Sequence, residues 1–523
     1  MEINNKMSKL ISRFKQIITN ALTKKSTDDL ISASKHSELK KTLGAFDLII
    51  LGIGAVVGTG IFSIIGIAIK GGAESVGAGP AISISMVLAA IACVFSALCY
   101  SEIAAIIPAA GSAYTYTYAT MGEFMAWMVG WILMLEYAIG NITVASAWCG
   151  YFTQFLKGFS HVLPSFVTNC PIWLRNDYIT ISHMCETYGW DIHDKIPHLF
   201  GVIPFAVNLP AILIVFLLTL LLLKGVKEST KFASLMVAIN LIMIITFIAL
   251  GSLYVKPENW TPFAPNGWEG IFSGAFLIFF AYIGFDAIST TAEEVKNPQR
   301  DLPIGILGTL IICTVLYVLV AFVLTGMVPF TSVDTGAPLA HAMSFVRQDW
   351  FAGLISIAAL AGLTSVLLVY QLGTTRILFA MSRDNFLPRS MRRISRKSRI
   401  PVTLTWLSAI VVILGALFMD LSISAELCNF GTFTSFIIIC VAVLILRKTE
   451  PDRPRQFKVP FSPLFPLLGV LCCGGLMVYS MFSLTTSAFL FPLWLAVGIW
   501  IYAAYGYKKK RLEEQRKKFY SRK

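Results

Sequence analysis

The chain has 523 residues, 56% of them hydrophobic and 14% charged, with a mean hydropathy of +0.72. Soluble domains carry about 45 to 50% apolar and about 25% charged residues, so this composition excludes a soluble globular protein and indicates a polytopic membrane protein. The formal net charge of +13 would suggest nucleic acid in a soluble chain, but here it follows the membrane topology and no nucleic-acid partner is expected.

Residues 1–45 are expected to be a cytoplasmic arm. They lack an apolar core followed by a small-residue cleavage site, so no cleavable signal peptide is expected. Leu10, Ile11, Phe14, Ile17, Ile18, Ala21 and Leu22 recur at helical spacing between Lys9, Arg13, Lys15, Lys24 and Lys25. That pattern fits a helix lying on an anionic inner leaflet, or equally a solvated amphipathic arm.

Apolar segments of about 20 residues, enough to cross the hydrocarbon core, fall near 46–69, 80–107, 124–156, 202–223, 232–254, 271–291, 302–327, 350–381, 402–419, 427–446, 464–486 and 488–506. Twelve spans place both termini on one side. With that side taken as inside, 36 of the 42 Lys and Arg residues lie on inner segments, the positive-inside asymmetry. One missed span would invert every later loop and destroy the pattern.

The first span contains Ile53-Gly54-Ala55-Val56-Val57-Gly58-Thr59-Gly60-Ile61-Phe62, with three glycines at mid-membrane. A helix broken there is tolerable only where it lines a protein cavity, because lipid cannot satisfy freed backbone groups. Free N–H groups and the positive helix end suit a carboxylate, and Gly58 and Gly60 let a ligand approach the backbone. The alternative is a small-residue helix-packing face.

The second span ends in Tyr100-Ser101-Glu102-Ile103, and the inner loop Ile107 to Tyr114 has no basic residue, so it is expected to pack. Glu136 in the third span should face the bundle interior or a water-filled path, either as a coupling group or as a polar group bonded to a neighbouring helix. Cys170 and Cys185 fall in the longest external loop, about 157–201, where an oxidising compartment would permit a disulfide. The other eight cysteines have no metal-ligand spacing. The sixth span carries Phe279-Phe280-Ala281-Tyr282-Ile283-Gly284-Phe285-Asp286, again glycine and an acid at mid-span. Carbonyls freed there would bind an ammonium. For Asp286 and Glu102, structural bonding near the inner ends is the expected role.

Spans one and six are separated by the spacing that a five-plus-five inverted repeat requires, and interrupted segments in corresponding positions point to a midplane transport site. N–H donors on one break and carbonyls on the other describe a receptor for a zwitterion, an α-amino acid. The expected organisation is residues 46–255 as the first repeat, 271–446 as the second, 464–506 as helices 11 and 12, and 507–523 as a basic cytoplasmic tail.

Gly54 to Phe62, Tyr100 to Tyr114, Phe279 to Asp286 with Glu293 to Pro303, and Gln371 to Arg376 leading into Ala380-Met381-Ser382-Arg383-Asp384 together resemble the amino acid-polyamine-organocation superfamily. Within it they are most similar to the cationic amino acid transporter family, from about Leu39 to about Tyr507. The resemblance implies an all-α membrane protein with the leucine-transporter fold: about 12 transmembrane helices, two inverted repeats of five, discontinuous helices 1 and 6, and alternating access. It places the substrate carboxylate at Thr59 and Gly60 beside Val56 and Gly58. It places the ammonium at the backbone of Phe280, Ala281 and Ile283, with the Phe280 ring as a gate.

Proton-coupled relatives carry a lysine in the fifth span where this chain has Asn240. An amide does not take up and release a proton in the usual pH range, so Asn240 and Glu136 are the candidate coupling positions. Tyr370 would shorten the side-chain pocket and favours a neutral substrate, whereas the family name favours a cationic one. Both stay open, as do exchange, uniport and gradient-driven transport.

A cell-membrane location, the bacterial inner membrane, is expected, and the charge asymmetry implies cytoplasmic termini. No cofactor or metal is expected, and an auxiliary subunit or oligomer is left open. The spans lack HExxH, GxSxG and Walker A patterns, which disfavours an enzyme or an ATP-driven pump. A non-transporting amino acid sensor of the same fold is the remaining alternative.

Overall fold

The computed structural model describes residues 22–35, 41–72, 75–109, 111–158, 164–168, 170–199, 203–395, 400–483 and 485–506. The amphipathic pattern of the arm, apart from Leu22, Lys24 and Lys25, and the basic tail 507–523 lie outside them.

Hydrocarbon leaves backbone groups no partner except each other, so apolar segments become helices. In chain order these are α1 (Thr27–Lys35), α2 (Ala45–Val56), α3 (Ile65–Lys70), α4 (Ile82–Ile106), α5 (Ser112–Thr120), α6 (Glu123–Gly158), α7 (Tyr178–Tyr188), α8 (Leu209–Lys224) and α9 (Val226–Gly251). They continue with α10 (Gly267–Phe279), α11 (Pro298–Met327), α12 (Pro338–Phe345), α13 (Asp349–Arg383), α14 (Val402–Phe418), α15 (Leu421–Thr449), α16 (Leu464–Ser483) and α17 (Thr485–Ile501).

Among the described residues, 9 helices are long and apolar enough to cross a membrane, or 10 if the bent pair of α2 and the Gly60–Lys70 helix counts as one span. The remaining two expected spans are the shorter apolar helices α8, of 16 residues, and α14, of 17. The fourth was expected from residue 202. Instead Ile203–Pro204 pairs with His198–Leu199, and the helix starts where the Asn208 side chain accepts the Ala211 N–H at 3.2 Å, with Pro210 in the first turn. The tenth starts earlier than expected because Asp420 caps it, accepting N–H groups of Ser422 at 3.2 Å and Ile423 at 3.1 Å.

The packing has a crosswise regularity. Helix α4 lies against α11, α6 against α13, and α8 against α14. The contact of α9 with α13 is matched by that of α15 with α6, and the contact of α2 with α11 by that of α10 with α4. The described residues of the loop expected to pack, 107–109 and 111–114, are buried apart from the half-buried Pro108, and the loop runs into α5, which is buried along its whole length.

The end carrying the basic loops is tied by ion pairs. Glu102, 1% exposed, accepts two bonds from Arg447, at 2.9 and 2.5 Å, and the Val459 N–H at 2.7 Å, with Arg455 at 3.3 Å. That is the structural role expected of it. Lys25 reaches Asp384 at 2.6 Å, and Arg376 reaches Glu294 at 2.5 Å. Thr42 and Leu43 donate N–H groups to the Glu294 carbonyl, and Leu43 accepts from Lys296.

Cys170 and Cys185, whose pairing the sequence leaves open, are both free thiols, and Cys185 packs in a small apolar cluster with Ile181 and Ile196.

Candidate functional site

Helix α2 ends where Val57 adopts φ −82° and ψ 91°. The chain then crosses Gly58 and Thr59, resumes as a π-helical turn over Gly60–Ile64 and runs into α3 at 41° to α2. The first N–H groups of the resumed helix have no acceptor within it, and its positive end lies at Gly60. Of these, Phe62 donates back to the Gly58 carbonyl at 3.2 Å. Val56, Gly58, Thr59 and Gly60 are all buried.

The second break follows α10. Phe280–Tyr282 form a 3-10 turn and Ile283 is extended at ψ 138°. Gly284 then takes φ +119°, where a Cβ would stand 2.8 Å from the Ala55 carbonyl oxygen. Only glycine fits there, both for its backbone angle and for the approach to the first break.

The breaks touch. A Cβ on Gly60 would stand 2.2 Å from Cα and Cβ of Ala281, and one on Gly58 would stand 2.6 Å from a Val366 methyl. The space at Gly60 is thus taken by the facing backbone of the sixth span.

Freed carbonyls are claimed by side chains from neighbouring helices. The Tyr317 hydroxyl on α11 lies 2.9 Å from the Val56 oxygen and 3.0 Å from the Ala281 oxygen, and its one proton serves one of them at a time. Asn240 on α9 donates to the Val57 oxygen at 3.1 Å. Tyr370 on α13 donates to the Ile283 oxygen at 3.2 Å. The Phe280 oxygen accepts the Ile283 N–H at 3.3 Å. Each carbonyl keeps a second lone pair. Tyr317 was absent from the sequence reading; its only signal was a lone tyrosine in an apolar span.

Four buried side-chain atoms on and beside the first break have no hydrogen-bond partner: Thr59 Oγ1, Ser63 Oγ, Asn240 Oδ1 and Ser365 Oγ. Buried polar atoms are nearly always satisfied, and leaving one bare costs free energy. A ligand with polar ends would relieve that cost.

Around this core, Tyr370 packs edge-on to Tyr137 with ring centroids 5.5 Å apart, close enough to Gly140 that a Cβ there would meet the Tyr370 ring at 2.7 Å. Tyr137 donates to Asp286 Oδ2 at 2.6 Å. Glu136 accepts from Ser435 at 3.4 Å. Glu136 Oε1 and Asp286 Oδ1 have no partner. Glu136 therefore faces the bundle interior. Phe280 is buried at 3% exposure, and the ring of its neighbour Phe279 lies tilted against Phe433 with centroids 4.1 Å apart.

A helical bundle with two interrupted helices meeting at its centre, and buried polar atoms gathered at their ends, is the construction of a multi-pass membrane permease. The chain belongs to the amino acid permease family, whose sequence profile matches residues 43–504. It is 42% identical to the branched-chain amino acid permease BcaP of Bacillus subtilis (strain 168), over 94% of this chain and 98% of that one. It is 40% identical to the methylthioribose transporter of the same organism, over 95% and 100%. It is 33% identical to the chloroplastic cationic amino acid transporter 9 of Arabidopsis thaliana, over 87% and 76%. The motif resemblance to the superfamily and its cationic branch therefore stands, and these relatives are transporters rather than enzymes.

Proposed function

We propose that this protein is a secondary transporter that moves a neutral amino acid with a small or medium apolar side chain across the cell membrane by alternating access. The observation that carries this is the contact of the two breaks at Gly60 and Ala281. It sets the N–H end of one half-helix beside the carbonyl end of the other, a complement to a zwitterion. In this reading Thr59 and Gly60, beside Val56 and Gly58, receive the carboxylate. Phe280, Ala281 and Ile283 receive the ammonium through their remaining lone pairs, and Phe280 closes over it.

The crosswise packing supports two inverted five-helix repeats, 46–255 and 271–446, with all twelve segments crossing. A two-fold that exchanges helices 1 to 5 for 6 to 10 turns the α9–α13 contact into α15–α6 and the α2–α11 contact into α10–α4. The branched-chain permease named above and the volume filled by Tyr370 favour a neutral over a cationic side chain. The methylthioribose transporter, at 40% identity, supports a second reading, a thioether sugar. That ligand lacks both charges of the zwitterion and would use the orphan hydroxyls instead.

Asn240 sits where a titrating ammonium would be needed for lysine-type coupling, so transport proceeds by exchange or facilitation unless Glu136 carries a proton. The basic loops and both termini face the cytoplasm, in the bacterial inner membrane.

The deciding experiment is uptake into proteoliposomes of radiolabelled amino acids and methylthioribose, with and without an inward proton gradient and with and without internal substrate. Uptake of leucine, isoleucine or valine that needs internal amino acid is expected. Uptake of arginine or methylthioribose alone would overturn the substrate, and dependence on the proton gradient would overturn exchange.

A further inference from the structure

Two buried asparagines stand in corresponding helices of the two halves. Asn240 lies on α9, the fifth span, and Asn429 on α15, the tenth; they are 2% and 0% exposed. Asn240 donates to the Val57 oxygen at 3.1 Å, and Asn429 donates to the Phe276 oxygen at 2.7 Å. Each acceptor has lost its helical partner at a break. Val57 is the residue at which α2 stops. After α10, the 3-10 turn draws the Phe280 N–H to the Leu277 carbonyl, one residue short of the Phe276 carbonyl that it would meet in a continuing α-helix.

The likeness extends to what backs each asparagine. Gly362 on α13 opposes Asn240, whose amide nitrogen would stand 2.3 Å from a Cβ there, and Gly140 on α6 opposes Cys428, the residue before Asn429, at 3.2 Å from a Cβ. In both asparagines the amide oxygen Oδ1 is buried without a partner, so no second bond locks either side chain. The two bonds act at opposite ends of the molecule. Helix α2 rises to the first break from the end where Leu43 meets Glu294 and Lys296. Helix α10 reaches the second break from the other end, since the chain beyond Ile283 continues to Glu294.

We infer that Asn429 is the counterpart of Asn240, and that the two are positioning residues of opposite effect: Asn240 holds the basic end of the molecule closed and Asn429 holds the other end closed. The packing gives the reason. Helices α2 and α10 pack on α11 and α4, whereas α9 packs on α13 and α15 on α6. Each asparagine therefore bonds a half-helix of one packed group to a helix seated on the other. Opening either end parts the two groups there and breaks that bond, and one neutral hydrogen bond is weak enough to break and re-form in each cycle. The inference rests on the alternating-access reading above and names the residues that balance its two closed ends.

The test reads the two ends separately and without substrate. Ser63 lies beyond the first break and Ser289 on the basic-end side of the second, and both are buried. Each is replaced by cysteine in turn in the full-length chain, with the half-buried Cys170 and Cys472 changed to serine and the other cysteines buried. The purified proteins are labelled with a water-soluble maleimide. Asn240→Leu should raise labelling of Ser289→Cys and lower that of Ser63→Cys, each by roughly two- to ten-fold, the worth of one neutral hydrogen bond. Asn429→Leu should do the reverse, and the double variant should return both reporters toward their starting values. Loosened packing alone would raise both reporters in each variant and further in the double; that result, or no shift, would overturn the inference. If Asn429→Leu is not recovered folded, Asn429→Ser, too short to reach Phe276, is read in its place. Amino acid uptake by the unmodified chain without opposite shifts would overturn the asparagine pairing alone. Opposite shifts in a chain that takes up no amino acid would overturn the proposed substrate and leave the pair standing.

Discussion

Tyr317 illustrates how much one side chain decides. Its hydroxyl is within bonding distance of a carbonyl from each break, at Val56 and Ala281, and so registers one half-helix against the other. Tyr317→Phe keeps the ring and its edge contact with Tyr282 but removes the donor. With buried carbonyls costing about 1 to 3 kcal/mol when left unsatisfied, substrate affinity should fall by roughly ten-fold or more while expression is retained, as a binding isotherm on purified protein would show. Asn240 is held by a second constraint, since Gly362 leaves it only just enough room. Asn240→Ala and Gly362→Ala should each lower uptake, and the double variant should be no worse than the more impaired single, because both act by freeing the Val57 carbonyl. Additive losses would separate the two. Tyr370 packs against Tyr137 and Gly140 and also ties Ile283. Tyr370→Ser should extend the substrate range to longer side chains, whereas Tyr370→Phe should leave the range unchanged; competition uptake with a series of lengthening side chains distinguishes volume from hydrogen bonding.

At the level of elements, both breaks depend on positions where a side chain cannot be placed. Gly284 has a left-handed φ of +119° and faces the Ala55 carbonyl, so Gly284→Ala adds backbone strain of about 1 to 2 kcal/mol to a clash across the breaks. Gly60→Val would drive Ala281 away. Both variants should lose substrate binding, and Gly284→Ala should also melt at a lower temperature in detergent. Normal transport by Gly60→Val would remove the first break from the site. The strand-like pairing of Thr42 and Leu43 with Glu294 and Lys296 joins the two elements again, at the foot of spans one and six. Any swing of one inner half-helix therefore carries the other.

For the whole molecule, ion pairs tie together segments at the end of the bundle that carries the basic loops. Glu102 is the most buried of them, with Arg447 and Arg455 converging on it. Removing one partner of a buried pair costs about 3 to 5 kcal/mol, so Glu102→Ala should reduce folded yield, as size-exclusion fluorescence of a tagged protein would report. Arg376→Ala breaks the more exposed bridge to Glu294, which spans the ends of helices eight and six. Its expected effect is on conformation rather than folding. A cysteine placed between the breaks and the basic loops should become more reactive to a water-soluble maleimide in that variant, and unchanged reactivity would show that the bridge does not restrict access from that end.

Hydropathy and charge alone determined that the chain is a multi-pass helical membrane protein, because the cost of unpaired backbone and charge in hydrocarbon acts on every residue regardless of its neighbours. The glycine-rich interruptions of spans one and six were legible for the same reason: a break in lipid needs a cavity, and glycine marks the break. The ends of α8 and α15 were not, since a cap is a local hydrogen bond that hydropathy does not register. Nor were the partners of the freed carbonyls. Tyr317, Asn240 and Tyr370 stand far along the chain from the groups they bond, and only the crossing of α11, α9 and α13 over the breaks brings them there. The free state of Cys170 and Cys185 likewise depends on where the loop packs Cys185. Sequence set which segments enter the membrane and where they break; tertiary structure decided what each freed group faces, because that depends on helices distant in the chain.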